Sequence, residues 1–234
     1  MKIYEYDDCK IAEESNFGDC ILASDFDFYK IPVEKKQEYL KGSTLLAVRN
    51  LNDNLGLLLL VTLTIIATVV MYMSKGIYVL ADNQFLIATV FLLLNIPLHE
   101  AGHILFLKAF YPQSKIKVGF KFVFIYPAFY VDTSYSYFCP KYKRICVYMG
   151  GNFLNCLFII IIYFLFPAYL KYCYVIVSNI LVNFIPIIKS DGYYAMVTFF
   201  SKYNSSKSQK GEYIEDFVRG MIMFIFMTML SYIF

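Results

Sequence analysis

The chain has 234 residues and a mass of 27.3 kDa; hydrophobic residues make up 59% of it, charged residues 17%, and the mean hydropathy is +0.55. That apolar surplus excludes intrinsic disorder. The 21 Lys and Arg against 18 Asp and Glu leave only +3, too little and too scattered for a binder of nucleic-acid phosphates, so a membrane protein is the class that remains.

Residues 1–50 mix short apolar runs (Cys20 to Ala23, Phe26 to Tyr29) with acids such as Glu5, Asp7, Asp8, Glu13 and Glu14. An acidic start without an apolar core is no cleavable signal peptide, so these residues read as a small N-terminal cytoplasmic region. Two roles fit it equally: recognition of a leader peptide, or simple docking on the membrane part.

Uncharged runs then follow in series. A helix crossing the hydrocarbon core needs about 20 apolar residues at 1.5 Å each. Residues 55–73 carry no charge, residues 85–107 carry one acid, Glu100, and residues 145–168 and 172–188 are broken only by Lys171, which lies between them. A fifth span over 214–234 requires Arg219 to reach toward the headgroups. The fold expected is an all-α polytopic membrane protein of four transmembrane helices and a fifth. A catalytic membrane core covers 51–200, a polar linker 201–213 and a C-terminal transmembrane helix 214–234. Between the second and third spans, Lys115 to Tyr126 alternates Lys with apolar residues in its first half, which predicts a short β-hairpin dipping into the membrane.

The loops assign an orientation. Lys75 and Lys171 stand alone in theirs, whereas seven cations lie between Lys108 and Arg144, and Lys189, Lys202, Lys207 and Lys210 follow the fourth span. The cation-rich loops stay inside, which gives a multi-pass protein of the cell membrane with a cytoplasmic N-terminus. The six Cys form no Cys-x-x-Cys pair, and free thiols are expected.

Chemistry concentrates in the second span, Asn95-Ile-Pro97-Leu-His99-Glu100-Ala-Gly102-His103. Residues four apart share a helix face, so His99 and His103 can grip one ion while Glu100 serves water at that ion; zinc suits such donors. A pair of buried imidazoles merely bridging helices is the plainer alternative. The chain has no third His, and a catalytic zinc takes three protein ligands, so an acid must complete the set. Asp191, directly after the fourth span and on the same cytoplasmic side as His103, is the first candidate and Asp132 its rival.

His99-Glu100-x-Gly102-His103, Gly151-x-x-x-Asn155 and Asn183-x-x-Pro186-x-x-x-x-Asp191-Gly192 together resemble the three-part signature of the site-2 protease family of intramembrane zinc metalloproteases, peptidase family M50, over roughly residues 85–200. Pro127 to Asp132, Arg144 to Gly151 and Asp191-Gly192-Tyr-Tyr are similar to its branch of peptide zinc metalloproteases. The resemblance implies Zn2+ on His99, His103 and Asp191, with Glu100 as the general base. It also implies Gly151, Asn155 and Asn183 beside the metal and substrate. Asn152 stands where that family usually has Pro.

The function expected is intramembrane cleavage of a peptide bond in a membrane-associated peptide or protein, with the active site toward the cytoplasmic side, as in maturation of a secreted peptide. Alternatives are regulated intramembrane proteolysis of a membrane-tethered regulator and a noncatalytic immunity or transport component that retains the metal site. Expected partners are the lipid bilayer, a peptide or membrane-protein substrate, and an exporter or peptide-modifying protein; no nucleic acid is expected.

Overall fold

A computed structural model describes residues 2–6, 9–13, 20–24, 27–31, 33–48, 55–74, 85–123, 126–184 and 190–200. The expected span 214–234 and the linker 201–213 lie outside them. Helices predominate, but the chain is not all-α. Strands β1 (Lys2–Tyr6), β2 (Cys9–Glu13), β3 (Cys20–Ser24), β4 (Asp27–Lys30) and β5 (Thr44–Val48) form an antiparallel sheet in the order β4-β3-β2-β1-β5, with helix α1 (Lys36–Lys41) inserted before β5. Runs of four or five residues are too short for a periodicity that separates strand from helix, which is why composition hid this sheet.

The register sorts its two faces. Ile3 opposite Ala12 packs on Tyr111, Phe138 and Cys139, while Ile11 opposite Tyr4 packs on Ile31, Tyr39 and Leu40. One face thus rests on the segments that follow the second long helix, helped by Lys10 Nζ, which donates to the Tyr111 hydroxyl and to Gln113 Oε1, each at 3.3 Å.

Among the described residues, three helices are long and apolar enough to cross a membrane: α2 (Leu55–Met73), α3 (Phe85–Phe110) and α4 (Lys141–Leu165). Leucines 59, 60 and 63 of α2 and 86, 93 and 94 of α3 are exposed, whereas Leu58, Val61 and Ile65 pack inward with Cys156, Ile159 and Ile162 of α4. That split suits helices with lipid on one side and protein on the other.

Of the fourth expected span, 172–188, residues 185–188 lie outside the described residues. A 3-10 stretch (Pro167–Cys173) leads into α5 (Tyr174–Asn183), whose ten residues rise only about 15 Å. The helix stops shortly before Pro186, which has no amide hydrogen to donate and disfavours helical backbone in the residue preceding it. Helix α6 (Asp191–Phe200) follows.

The expected hairpin is present as β6 (Val118–Val123) and β7 (Tyr126–Val131), paired from Val118 opposite Val131 to Val123 opposite Tyr126. The Lys-alternating segment supplies only its first strand. A 3-10 turn (Ser134–Phe138) then joins β7 to α4, braced by Arg144, which donates to the carbonyls of Ser136, Tyr137 and Cys139 at 3.3 Å. Cys9, Cys139, Cys146, Cys156 and Cys173 are free thiols, as expected for them.

Candidate metal centre

Helices α3 and α4 meet backbone to backbone. A Cβ on Gly102 would strike the Gly150 carbonyl oxygen, and one on Gly150 would lie 2.6 Å from the Gly102 oxygen, so neither position tolerates even a methyl group at this separation. A Cβ on Gly151 would sit 2.5 Å from Cε1 and Nε2 of His99. The glycine of Gly151-x-x-x-Asn155 thereby makes room for the imidazole. Asn155 comes one turn later on the same face, with Nδ2 at 3.1 Å from His99 Nδ1.

The two imidazoles converge as their spacing requires. His103 Nε2 lies 3.3 Å from His99 Nε2, and both rings are buried. His103 Nδ1 donates to the Val147 carbonyl at 2.8 Å, so its Nε2 keeps a lone pair directed at the centre. Asp191 Oδ2 completes the group, at 2.9 Å from His99 Nε2 and 3.2 Å from His103 Nε2.

Asn183 delivers that carboxylate. Its Nδ2 donates to Asp191 Oδ2 at 3.0 Å and to Asn152 Oδ1 at 3.2 Å, and its Oδ1 accepts the Asp191 amide at 3.2 Å. Gly192 is needed beside it, because a Cβ there would collide with the Asn183 carbonyl oxygen and lie 2.9 Å from Phe184 Cα.

These donors fit zinc. A tetrahedral ion with bonds of about 2.0–2.1 Å keeps its ligand atoms about 3.3 Å apart, and the three separations here are 2.9, 3.2 and 3.3 Å. His99 adds a requirement. As arranged, Asn155 Nδ2 donates to His99 Nδ1, which leaves the ring proton on Nε2, facing Asp191. Were His99 Nε2 to hold an ion, the ring proton would lie on Nδ1, where Asn155 Oδ1, which has no hydrogen-bond partner among the described residues, could accept it after the amide turns over.

Glu100 belongs to the same cluster, with ligand atoms of His99, Glu100 and His103 within 4.8 Å of one another. Its Oε2 accepts the Val131 backbone amide at 2.7 Å, so the end of β7 fixes the carboxylate from the other side. No side-chain pattern announces that contact, since the donor is a main-chain group. The rival acid Asp132 is engaged locally: its Oδ1 accepts the Ser134 amide at 2.9 Å and opens the 3-10 turn. The structure therefore brings together His99, Glu100, His103, Gly151, Asn155, Asn183 and Asp191, and leaves Asp132 outside.

No family model matches the chain, and no solved structure matches it. Over 126 residues it is 37% identical to a protein of Bacillus subtilis (strain 168) that bears the name "Putative peptide zinc metalloprotease protein YydH". The match takes in 51% of this chain and 50% of that protein, so the chain spans about half the length of the curated relative it matches.

Proposed function

We propose that this chain is an intramembrane zinc metalloprotease of the site-2 protease type, cleaving a membrane-associated peptide near the cytoplasmic face. The observation that carries the reading is the convergence of His99, His103 and Asp191 at 2.9–3.3 Å, from two separate helices, with a carboxylate base on the neighbouring residue. The name of the Bacillus subtilis relative agrees with zinc and with a peptide substrate, and maturation of a secreted peptide is the role this favours.

His99 Nε2, His103 Nε2 and Asp191 Oδ2 would hold the ion. Zinc in that position supplies Lewis acidity to the scissile carbonyl and to the attacking water. Glu100 takes one proton from that water as its oxygen bonds to the carbonyl carbon. The same carboxyl group returns the proton to the amide nitrogen as the C–N bond breaks, so the products are an amine and a carboxylic acid, which then releases its remaining proton to solvent. Val131 N–H holds Glu100 in line for both transfers. Asn155 and Val147 orient the imidazoles, and Asn183 orients Asp191.

A helical substrate hides its carbonyls in its own ladder, so it must be unwound before cleavage. Strand β7 ends on Glu100, and an extended peptide laid along the hairpin would bring its backbone to the base. The test is Glu100→Gln in zinc-loaded protein reconstituted in nanodiscs and assayed by mass spectrometry against a library of apolar peptides. Cleavage should fall by about 10²-fold or more while zinc stays stoichiometric. Undiminished cleavage would remove Glu100 as the base, and zinc without cleavage in the parent protein would favour a noncatalytic role.

A further inference from the structure

One turn before His99, Asn95 is 1% exposed, and neither its Nδ2 nor its Oδ1 has a hydrogen-bond partner among the described residues. Burying an unpaired amide is costly, and at membrane depth no bulk water relieves it. Every other polar side chain around the centre has an assigned contact: Asn155 with His99, Asn152 with Asn183, Asn183 with Asp191. Asn152 Nδ2 is a further buried donor without a partner among the described residues. Two residues past Asn95, Pro97 interrupts the ladder of α3, because it has no amide hydrogen for the Leu93 carbonyl.

A side-chain amide with both ends unpaired matches one chemical partner closely. A residue of an extended peptide offers one N–H and one C=O on the same edge, and an Asn amide can meet both at once, as a neighbouring strand would. Four residues along a helix amount to about 6 Å, and two residues of extended chain to about 6.6 Å. We infer that Asn95 is a substrate-binding residue that pairs with the backbone of an unwound peptide about two residues from the scissile bond, a reading that rests on the protease function proposed above. Helix α3 packs against α4, α5 and the 3-10 stretch at Pro167–Cys173. Admitting the peptide requires α5 and that stretch to part from α3. Apolar side chains suit the lipid-facing surroundings, while the amide reads the backbone, so the substrate class is an apolar peptide segment with little sequence demand at that position.

The experiment compares zinc-loaded wild type and Asn95→Leu in nanodiscs. The probes are two fluorescent tri-leucine hydroxamates, one extending to each side of the zinc-binding group, and acetohydroxamate, which has no peptide. In Asn95→Leu at least one peptide probe should bind about tenfold to hundredfold more weakly, acetohydroxamate should bind as before, and Tm should rise because an unpaired buried amide is gone. On wild-type protein, N-methylating the probe's backbone nitrogens one at a time should cause a matching loss at a single position and no further loss in Asn95→Leu. Unchanged affinity of both peptide probes in Asn95→Leu, or a lower Tm with unchanged affinity, would overturn the inference and make the amide structural. Failure of wild type to bind acetohydroxamate would instead overturn the metal-site reading, and this inference with it.

Discussion

The α3–α4 contact and the N-terminal sheet are held together by opposite means. In the first, Gly102, Gly150 and Gly151 bring backbone against backbone and backbone against the His99 ring, with no side chain free to yield. In the second, Ile3, Ala12 and Ile11 fill two small clusters, and the edge strands β4 and β5 have no strand on their outer sides among the described residues. The candidate metal centre is therefore built on a contact with little slack, and the sheet on small clusters that leave more. A difference of one methyl group should separate the two regions.

Gly102→Ala gives the largest expected effect. Its Cβ would meet the Gly150 carbonyl and lie 2.9 Å from Gly151 Cα, both main chain, so only a parting of the helices can admit it. Gly151→Ala would press on a His99 ring already held at both nitrogens. Such overpacking costs about 1–3 kcal/mol, and a shift of about 1 Å at a catalytic group costs about 10²-fold in rate. Both variants should lose zinc on dialysis and at least that factor in cleavage, while Ala12→Gly in the sheet should leave zinc content unchanged. Zinc retention equal to wild type in Gly102→Ala would show that the close approach does not serve the centre.

Asn155→Leu alters the α3–α4 contact from within. It keeps the volume beside His99 but removes the amide that contacts His99 Nδ1 among the described residues, so the ring loses its preference for the tautomer that frees Nε2. Zinc affinity, measured by competition with a chromophoric chelator, should fall about 10- to 100-fold. Asn155→Asp should restore most of it, because a carboxylate accepts the Nδ1 proton without needing to turn over. Equal loss in both variants would mean that Asn155 acts through packing alone.

The same contrast explains what could be read from the residues. His99, Glu100 and His103 were legible because helical spacing alone puts them on one face, and the three long helices because apolar runs of that length have few other uses. Gly151, Asn155, Asn183 and Asp191 were legible through spacing that matches a known signature, and their reasons emerge only in three dimensions: room for a ring, an orienting amide, a clasp on a carboxylate. The Val131 amide on Glu100 left no trace, since any residue but proline supplies that donor. The sheet was missed because five-residue strands draw their order from pairing with distant partners rather than from local pattern. Within the expected fourth span, the end of α5 at Asn183 carried a signal at Pro186 that apolar length outweighed.

The smallest effect belongs to the sheet and tests whether it is energetically separate from the centre. Glu13 on β2 accepts the Tyr4 hydroxyl at 2.8 Å and pairs with Lys36 at 2.9 Å. Burial works against its charge, but Lys36 and Tyr4 overcome it, so its pKa lies below the ordinary value of 4.5. A depressed folded-state pKa contributes stability that is fully present above the unfolded value and is lost as pH falls through the folded one. For a partly buried surface pair the contribution is about 0–1 kcal/mol. Glu13→Gln should therefore speed hydrogen exchange slightly in β1 and β2 near neutral pH, and should flatten the acid loss of protection that the parent shows below about pH 4.5. Zinc content near neutral pH should be the same in both proteins. A fall in zinc on Glu13→Gln would mean that the packing of Ile3 and Ala12 on Tyr111 and Phe138 transmits strain from the sheet to α3, and that the two regions are one cooperative unit.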